Sequence, residues 1–276
     1  FLLNYETGRM EPWLGLSLEP QAGSDFKIWT LELRKHVSWS DGQEFNAEDV
    51  VFTVDMVKRS TGLLAAEASR IRGQVESVSA PGTHTVRFTL RSSNPRFALE
   101  NFAAGLYSSF LIMPEHKWKD ARDPAVFTFF DPSSDPAKVM PVGTGPYRYR
   151  DTVGGVVTWT LNTEWWGAKE FDENGDGVFE IPAFRERLPE PGFLQWRFVE
   201  TEQESIDHFR DDELDAGREY TRRAFAEVTT QNPDVIGWDT LSSVAWNDPC
   251  ARQLEIDVKE APWNDRRLRQ ALALLI

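Results

Sequence analysis

The sequence holds a single cysteine, Cys250, so no disulfide can form within the chain. That neither assigns nor excludes an oxidising compartment. No apolar run approaches the ~18 residues that a membrane-spanning helix needs. Basic clusters are equally scarce, the longest being pairs such as Arg222-Arg223 and Arg266-Arg267 within a formal net charge of −14. A nucleic-acid binder requires a basic footprint, so that class is excluded. The four histidines, His36, His84, His116 and His208, sit at no metal-ligand spacing. There is no G-x-S-x-G elbow, no P-loop, no internal repeat and no low-complexity tract. A secretory leader is not visible either. The chain opens on Phe1-Leu2-Leu3 and stops inside the apolar run Leu272 to Ile276, so it is expected to continue at both ends.

What is present describes a folded protein. With 276 residues, 41% hydrophobic and 27% charged, the chain can bury a real core as one large domain or two medium ones. Tryptophan is plentiful, at 11, and such rings either fill cores or line ligand grooves. The 44 acidic residues read as a solvated surface, and they make a carboxylate-pair hydrolase easy to draw without any motif that selects one.

Residues 28–34 read as a strand from their β-branched and aromatic content. Asp41-Gly42 is a turn, and Asn46 caps a helix over Ala47 to about Arg59, with Asp49 near its positive end. Val50, Val51, Val54 and Val57 give that helix an apolar face. Val75–Ser79 and Thr85–Arg91 flank Pro81-Gly82-Thr83 as a hairpin, with Val86, Phe88 and Leu90 alternating. Residues 95–130 hold short helical pieces broken at Pro114 and Pro124, and 131–141 form a loop. Gly143-Thr144-Gly145-Pro146 is a tight turn, its glycines expected to permit unusual φ values, and strands at 147–150 and 156–162 follow. Phe193 to Val199 is a strand. A capping box at Thr201-Glu202-Gln203-Glu204 starts the next helix, and another covers 221–230. Strands at 235–238 and 253–258 precede a last helix from about Asn264, which Arg269 is expected to anchor to nearby carboxylates. This mixed order indicates an α/β or α+β protein.

One segment looks like a metal loop. Asp172, Asn174 and Asp176 with Gly177 match the start of an EF-hand calcium loop, and Glu180 could serve at the ninth position. The twelfth position, however, is Ala183, and Pro182 blocks the helix that should follow. The segment is a turn-rich acidic surface loop or a weak calcium site of structural importance only. A calcium-stabilised extracellular interaction domain is the alternative it motivates.

Four ordered segments carry a family resemblance. The first is Trp29-Thr30-Leu31-Glu32-Leu33-Arg34, then Val37-Ser38-Trp39-Ser40-Asp41-Gly42, then Phe45-Asn46-Ala47-Glu48-Asp49-Val50-Val51-Phe52. The second is Pro141-Val142-Gly143-Thr144-Gly145-Pro146-Tyr147, followed later by Asn162-Thr163-Glu164-Trp165-Trp166-Gly167. The third is the strand Leu194 to Val199, then Phe209-Arg210-Asp211-Asp212-Glu213-Leu214-Asp215. The fourth is Leu254 to Val258, then Ala261-Pro262-Trp263-Asn264-Asp265-Arg266-Arg267-Leu268-Arg269-Gln270-Ala271-Leu272. Together they resemble the extracellular solute-binding proteins of family 5, which feed peptide, nickel and related ABC importers. The chain departs from the family pattern at Asn46 (usually Thr), Asp212 (usually Gly) and Asp257 (usually Asn).

The resemblance implies a mixed α/β fold of the type II periplasmic-binding-protein kind, with two lobes that close on ligand. Residues 1–142 would be the subdomain inserted in lobe I, and 143–276 the lobe I core leading into the hinge helix, with the second lobe absent. It implies a non-catalytic, monomeric protein of the periplasm or outer surface, with or without a lipid anchor. Such a protein delivers peptides or similar small solutes to an ABC permease and needs no cofactor. Ser242 and Ser243 are then expected as polar ligand contacts and Trp246 as an apolar wall of the cleft. The competing reading, Trp246 as core and the serines as turn residues, remains open beside it.

Overall fold

The computed structural model describes residues 1–4, 7–59, 65–103, 111–120, 141–168, 189–217, 221–232, 234–235 and 259–273. The chain divides into two compact units, Phe1–Tyr220 and Thr221–Ile276.

In the first unit, β1 (Leu2–Asn4) and β2 (Arg9–Glu11) form a small antiparallel pair. A four-stranded antiparallel sheet follows in the order β3-β4-β6-β5, from β3 (Gly15–Pro20), β4 (Ile28–Leu33), β5 (Val75–Gly82) and β6 (Thr85–Leu90). Strand side chains alternate between faces. Trp29, Leu31 and Leu33 of β4 and Val86, Phe88 and Leu90 of β6 therefore turn to one side, and all six are buried. The register opposes Trp29 to Phe88 and Leu31 to Val86. Full burial of a side chain such as Phe88 contributes about 1.5–3 kcal/mol.

Helix α1 (Ala47–Arg59) lies against β5 and β6 through Val50, Val54 and Val57, all buried. Val51, the fourth residue of the expected apolar face, is only half-buried. Helix α2 (Ala65–Gln74) adds Ala68 and Ile71 to the same cluster. Two short helices, α3 (Phe97–Phe102) and α4 (Glu115–Trp118), stand on either side of Pro114, where short helical pieces are expected, and Pro124 lies outside the described residues. Phe97 closes the sheet's apolar face, its ring 5.3 Å from Phe88 and 5.8 Å from Trp29.

A three-stranded antiparallel meander follows: β7 (Tyr147–Val153), β8 (Val156–Leu161) and β9 (Phe193–Arg197). A 3-10 turn at Trp166–Ala168 comes after β8, and helix α5 (Glu202–Arg210) comes after β9. Thr201 caps α5 by accepting from the Glu204 amide at 3.1 Å. Glu204 reaches back one residue further than the expected box, accepting from the Glu200 amide at 3.0 Å.

The second unit contains α6 (Arg222–Gln231), capped by Thr221, and α7 (Arg266–Ala273). Helix α7 starts two residues later than expected because Asp265 accepts the Arg267 amide at 2.8 Å, which makes Asp265 the cap. Arg269 donates to the Trp263 carbonyl, while the Asp265 carboxylate is paired with Arg267 at 2.8 Å. The hydrogen bond of Arg269 thus goes to a main-chain acceptor, while its charge acts on the nearby Asp265 carboxylate. Of the expected strand 235–238 only Val235 is described, and 253–258 lies outside the described residues. Among the described residues, no helix is long and apolar enough to cross a membrane.

Candidate functional site

Ser242, Ser243 and Trp246 lie outside the described residues, as do Asp172, Asn174, Asp176 and Glu180. Among the described residues, no group of three or more His, Cys, Asp or Glu could hold a metal ion. What the structure does describe is how the first two signature segments are built and joined.

The first segment is organised around Asp49. Asn46 and Asp49 cap α1 reciprocally: Asn46 Oδ1 accepts the Glu48 amide at 2.9 Å, and Asp49 Oδ2 accepts the Asn46 amide at 3.1 Å. The same carboxylate accepts the indole N–H of Trp39 at 3.1 Å and the Glu115 amide at 2.8 Å. Asp49 is 4% exposed, so these donors replace the water it has lost. One turn along α1, Thr53 Oγ1 accepts the Met113 amide at 2.9 Å. The segment entering α4 is thus attached to α1 at two points.

Asp41 of the Asp-Gly turn also has partners distant in sequence. His116 Nε2 lies 2.9 Å and Lys117 Nζ 3.3 Å from its Oδ2. Burial opposes ionisation of Asp41. Hydrogen bonds from His116, the Gln43 amide and Lys117, with the charge on His116, outweigh that cost and hold the carboxyl below its ordinary range. Gly42 has φ +88, which only a residue without a Cβ adopts readily.

The second segment docks on the first. The Ser40 amide donates to the Gly143 carbonyl at 2.9 Å, and the Gly143 amide donates to Ser40 Oγ at 3.3 Å. Gly143 and Gly145 do not take positive φ. The expectation of unusual backbone there is corrected, since Gly143 acts through its peptide groups instead. The next carbonyl, Thr144 O, accepts both Trp165 Nε1 at 2.9 Å and Trp166 Nε1 at 2.7 Å. Both indoles are buried in the cluster shared with β4 and β6. Trp13 packs edge-on to Trp166, with ring centroids 5.5 Å apart, and Arg34 lies over the Trp166 ring at 5.8 Å.

In the third segment, Asp212 has φ +59, just past the end of α5. That left-handed conformation is the physical reason glycine suits the position, and Asp is among the few other residues that tolerate it. Nearby, His208 Nδ1 lies 2.6 Å from Glu213 Oε2, which also meets Arg197 Nη1 at 3.3 Å. His84 Nε2 lies 3.2 Å from Glu44 Oε1 without hydrogen-bond alignment.

The family described as bacterial extracellular solute-binding proteins, family 5 middle, matches residues 9–276. The periplasmic oligopeptide-binding protein OppA of Salmonella typhimurium is 23% identical over 275 residues, covering 94% of this chain and 44% of OppA. A crystal structure of MoaA from Agrobacterium tumefaciens R10, in complex with mannopinic acid, is 26% identical at a TM-score of 0.58. That match covers 95% of this chain and 45% of MoaA. The ABC transporter substrate-binding protein CtaP of Listeria monocytogenes shares the fold at TM-score 0.58 and 19% identity, over 80% of this chain and 38% of CtaP. The chain therefore spans less than half the length of these relatives, and its mixed α/β fold is theirs. The chain belongs to the bacterial extracellular solute-binding proteins of family 5.

Proposed function

We propose that this chain is part of the substrate-binding component of an ABC importer, which captures a peptide or similar small solute and delivers it to a membrane permease. The observation that carries this reading is the joining of the two signature segments through Ser40 and Gly143, within a family match over residues 9–276. OppA is by name an oligopeptide-binding protein, and MoaA was crystallised with mannopinic acid. Peptides and other small solutes are accordingly both kept as ligand classes.

In this reading residues 1–142 form the inserted subdomain and 143–276 most of the first lobe. The Ser40–Gly143 bonds would then brace the junction between them. Ser242 and Ser243 would contact ligand and Trp246 would form an apolar wall. Binding would work by closure of two lobes, each contributing part of the ligand's contacts, so that ligand shifts the population toward the closed form. A peptide would be held chiefly through its main chain, which permits varied side chains. The protein would act in the periplasm or at the outer surface, as a monomer, without chemistry on its ligand.

Native mass spectrometry of the full-length protein tests this. A bound solute at one per chain is expected, lost or weakened when Ser242, Ser243 and Trp246 are replaced by Ala. Unchanged solute binding by that triple variant would remove those residues from the site. A covalently altered solute would favour the carboxylate-pair hydrolase.

A further inference from the structure

Asp41-Gly42 is a pair of residues whose peptide chemistry is labile, because glycine leaves its amide nitrogen unshielded beside the preceding carboxyl. In the rearrangement open to such a pair, the Gly42 nitrogen bonds to Asp41 Cγ. The carboxyl hydroxyl leaves with the amide proton as water, and a cyclic succinimide remains. Water then adds back and opens one of the two imide bonds. One opening restores aspartate; the other routes the main chain through the side-chain carbonyl as isoaspartate. The turn is exposed, with Gly42 at φ +88, so water is at hand for the second step.

The contacts around the pair oppose the first step at both reacting atoms. The Gly42 amide donates to the Trp39 carbonyl at 2.9 Å, which keeps the nucleophile engaged. On the other side, Asp41 Oδ1 accepts the Gln43 amide at 3.3 Å, while Oδ2 lies 2.9 Å from His116 Nε2 and 3.3 Å from Lys117 Nζ. Burial alone would favour the carboxylic acid, but the donors outweigh it and favour the carboxylate. A carboxylate has no hydroxyl to lose, so the ionised form is the unreactive one. Holding both oxygens also fixes the side chain's rotation and keeps Cγ from swinging onto the Gly42 nitrogen.

Turn formation does not require His116 and Lys117. The turn is already set by the Ser38–Glu44 bridge, the Gly42–Trp39 bond and the left-handed φ of Gly42. Fastening α4 does not require them either, since Asp49 accepts the Glu115 amide at 2.8 Å and Thr53 accepts the Met113 amide at 2.9 Å. That fastening instead presents the two side chains to Asp41, and the His116 ring stands edge-on to Trp39 with centroids 6.5 Å apart. We propose that His116 and Lys117 guard Asp41-Gly42, a latent succinimide site, against rearrangement of its main chain to isoaspartate. The proposal does not depend on the solute-binding reading.

The full-length protein is incubated in warm neutral buffer, digested at intervals, and its isoaspartate at residue 41 is measured by peptide mapping with electron-transfer fragmentation. A synthetic peptide covering residues 38–46 gives the unguarded rate. The folded protein should react about tenfold more slowly than the peptide or slower still, the scale set by hydrogen bonds to a charged group. The double variant His116→Ala/Lys117→Ala, shown to be folded by its urea transition, should recover about tenfold or more of that rate. Asp176-Gly177, which lies outside the described residues, supplies a reference rate within each protein sample. Thr201→Ala, which weakens the fold at the cap of α5, controls for general loosening and should leave the rate at residue 41 unchanged. A parent protein that reacts as fast as the peptide overturns the proposal, whatever the variants do. So does a folded double variant no faster than the parent, or an equal acceleration by Thr201→Ala.

Discussion

The carboxylate of Asp49 accepts the indole N–H of Trp39 at 3.1 Å, and both side chains are 4% exposed. The contact ties the strand-and-turn half of the signature segment to its helix. Because Asp49 also holds the Asn46 and Glu115 amides, its loss leaves three buried or half-buried donors without an acceptor. Asp49→Ala is expected to cost about 3 kcal/mol or more. Trp39→Phe removes one donor and should cost about 1–2 kcal/mol plus any lost packing. In a double-mutant cycle by urea unfolding, the Trp39 change should cost about 1 kcal/mol less once Asp49 is gone. Additive costs would show that the two side chains are not coupled.

The pairing of Asp41 with His116 and Lys117 predicts a pH dependence. The folded-state pKa of Asp41 lies below its ordinary value of 3.8. Its contribution to stability is thus whole above the unfolded value and is lost as pH falls through the folded one. Urea midpoints measured downward from about pH 5 should fall less steeply for Asp41→Asn than for the parent. Parallel acid limbs would mean that the pairing is not stabilising.

Asp212 holds a left-handed conformation, with φ +59. Asp212→Gly removes the Cβ penalty but adds unfolded-chain entropy, so a net gain of up to about 1 kcal/mol is expected. A rise of the thermal midpoint checks it. A fall would show that the Asp side chain has a stabilising role of its own.

The segment with Asp172, Asn174, Asp176 and Glu180 has Ala183 where an EF-hand sequence has a bidentate Glu. Chelator is therefore expected to leave the melting temperature unchanged. A drop that millimolar calcium restores would establish a structural cation site there.

Much of the scaffold was legible because its signals are local. The β-branched and aromatic content of β4, the alternation in β6, the valine face of α1 and the caps Asn46 and Thr201 need only near neighbours. Strand β3 was not foreseen. Its sequence, Gly-Leu-Ser-Leu-Glu-Pro, has weak strand propensity and is held by pairing with β4. Helix α2 was missed as well, because among its described side chains only Ala68 and Ile71 are buried apolar residues, and only tertiary packing makes them count. Asp49 was legible as a residue near a helix start. Its bond to Glu115, 66 positions away, and the Asp41–His116 pair, 75 positions apart, were not, since no local pattern encodes a partner that distant. Ser242, Ser243 and Trp246 are expected at the cleft from resemblance alone, and they fall outside the described residues.

Calorimetry on the full-length protein, using the solute that co-purifies with it, tests the central claim most directly. Saturable binding at one solute per chain, with the solute recovered chemically unchanged after prolonged incubation, is the predicted result. Absence of saturable binding, or recovery of a converted product, would contradict a solute-capturing role.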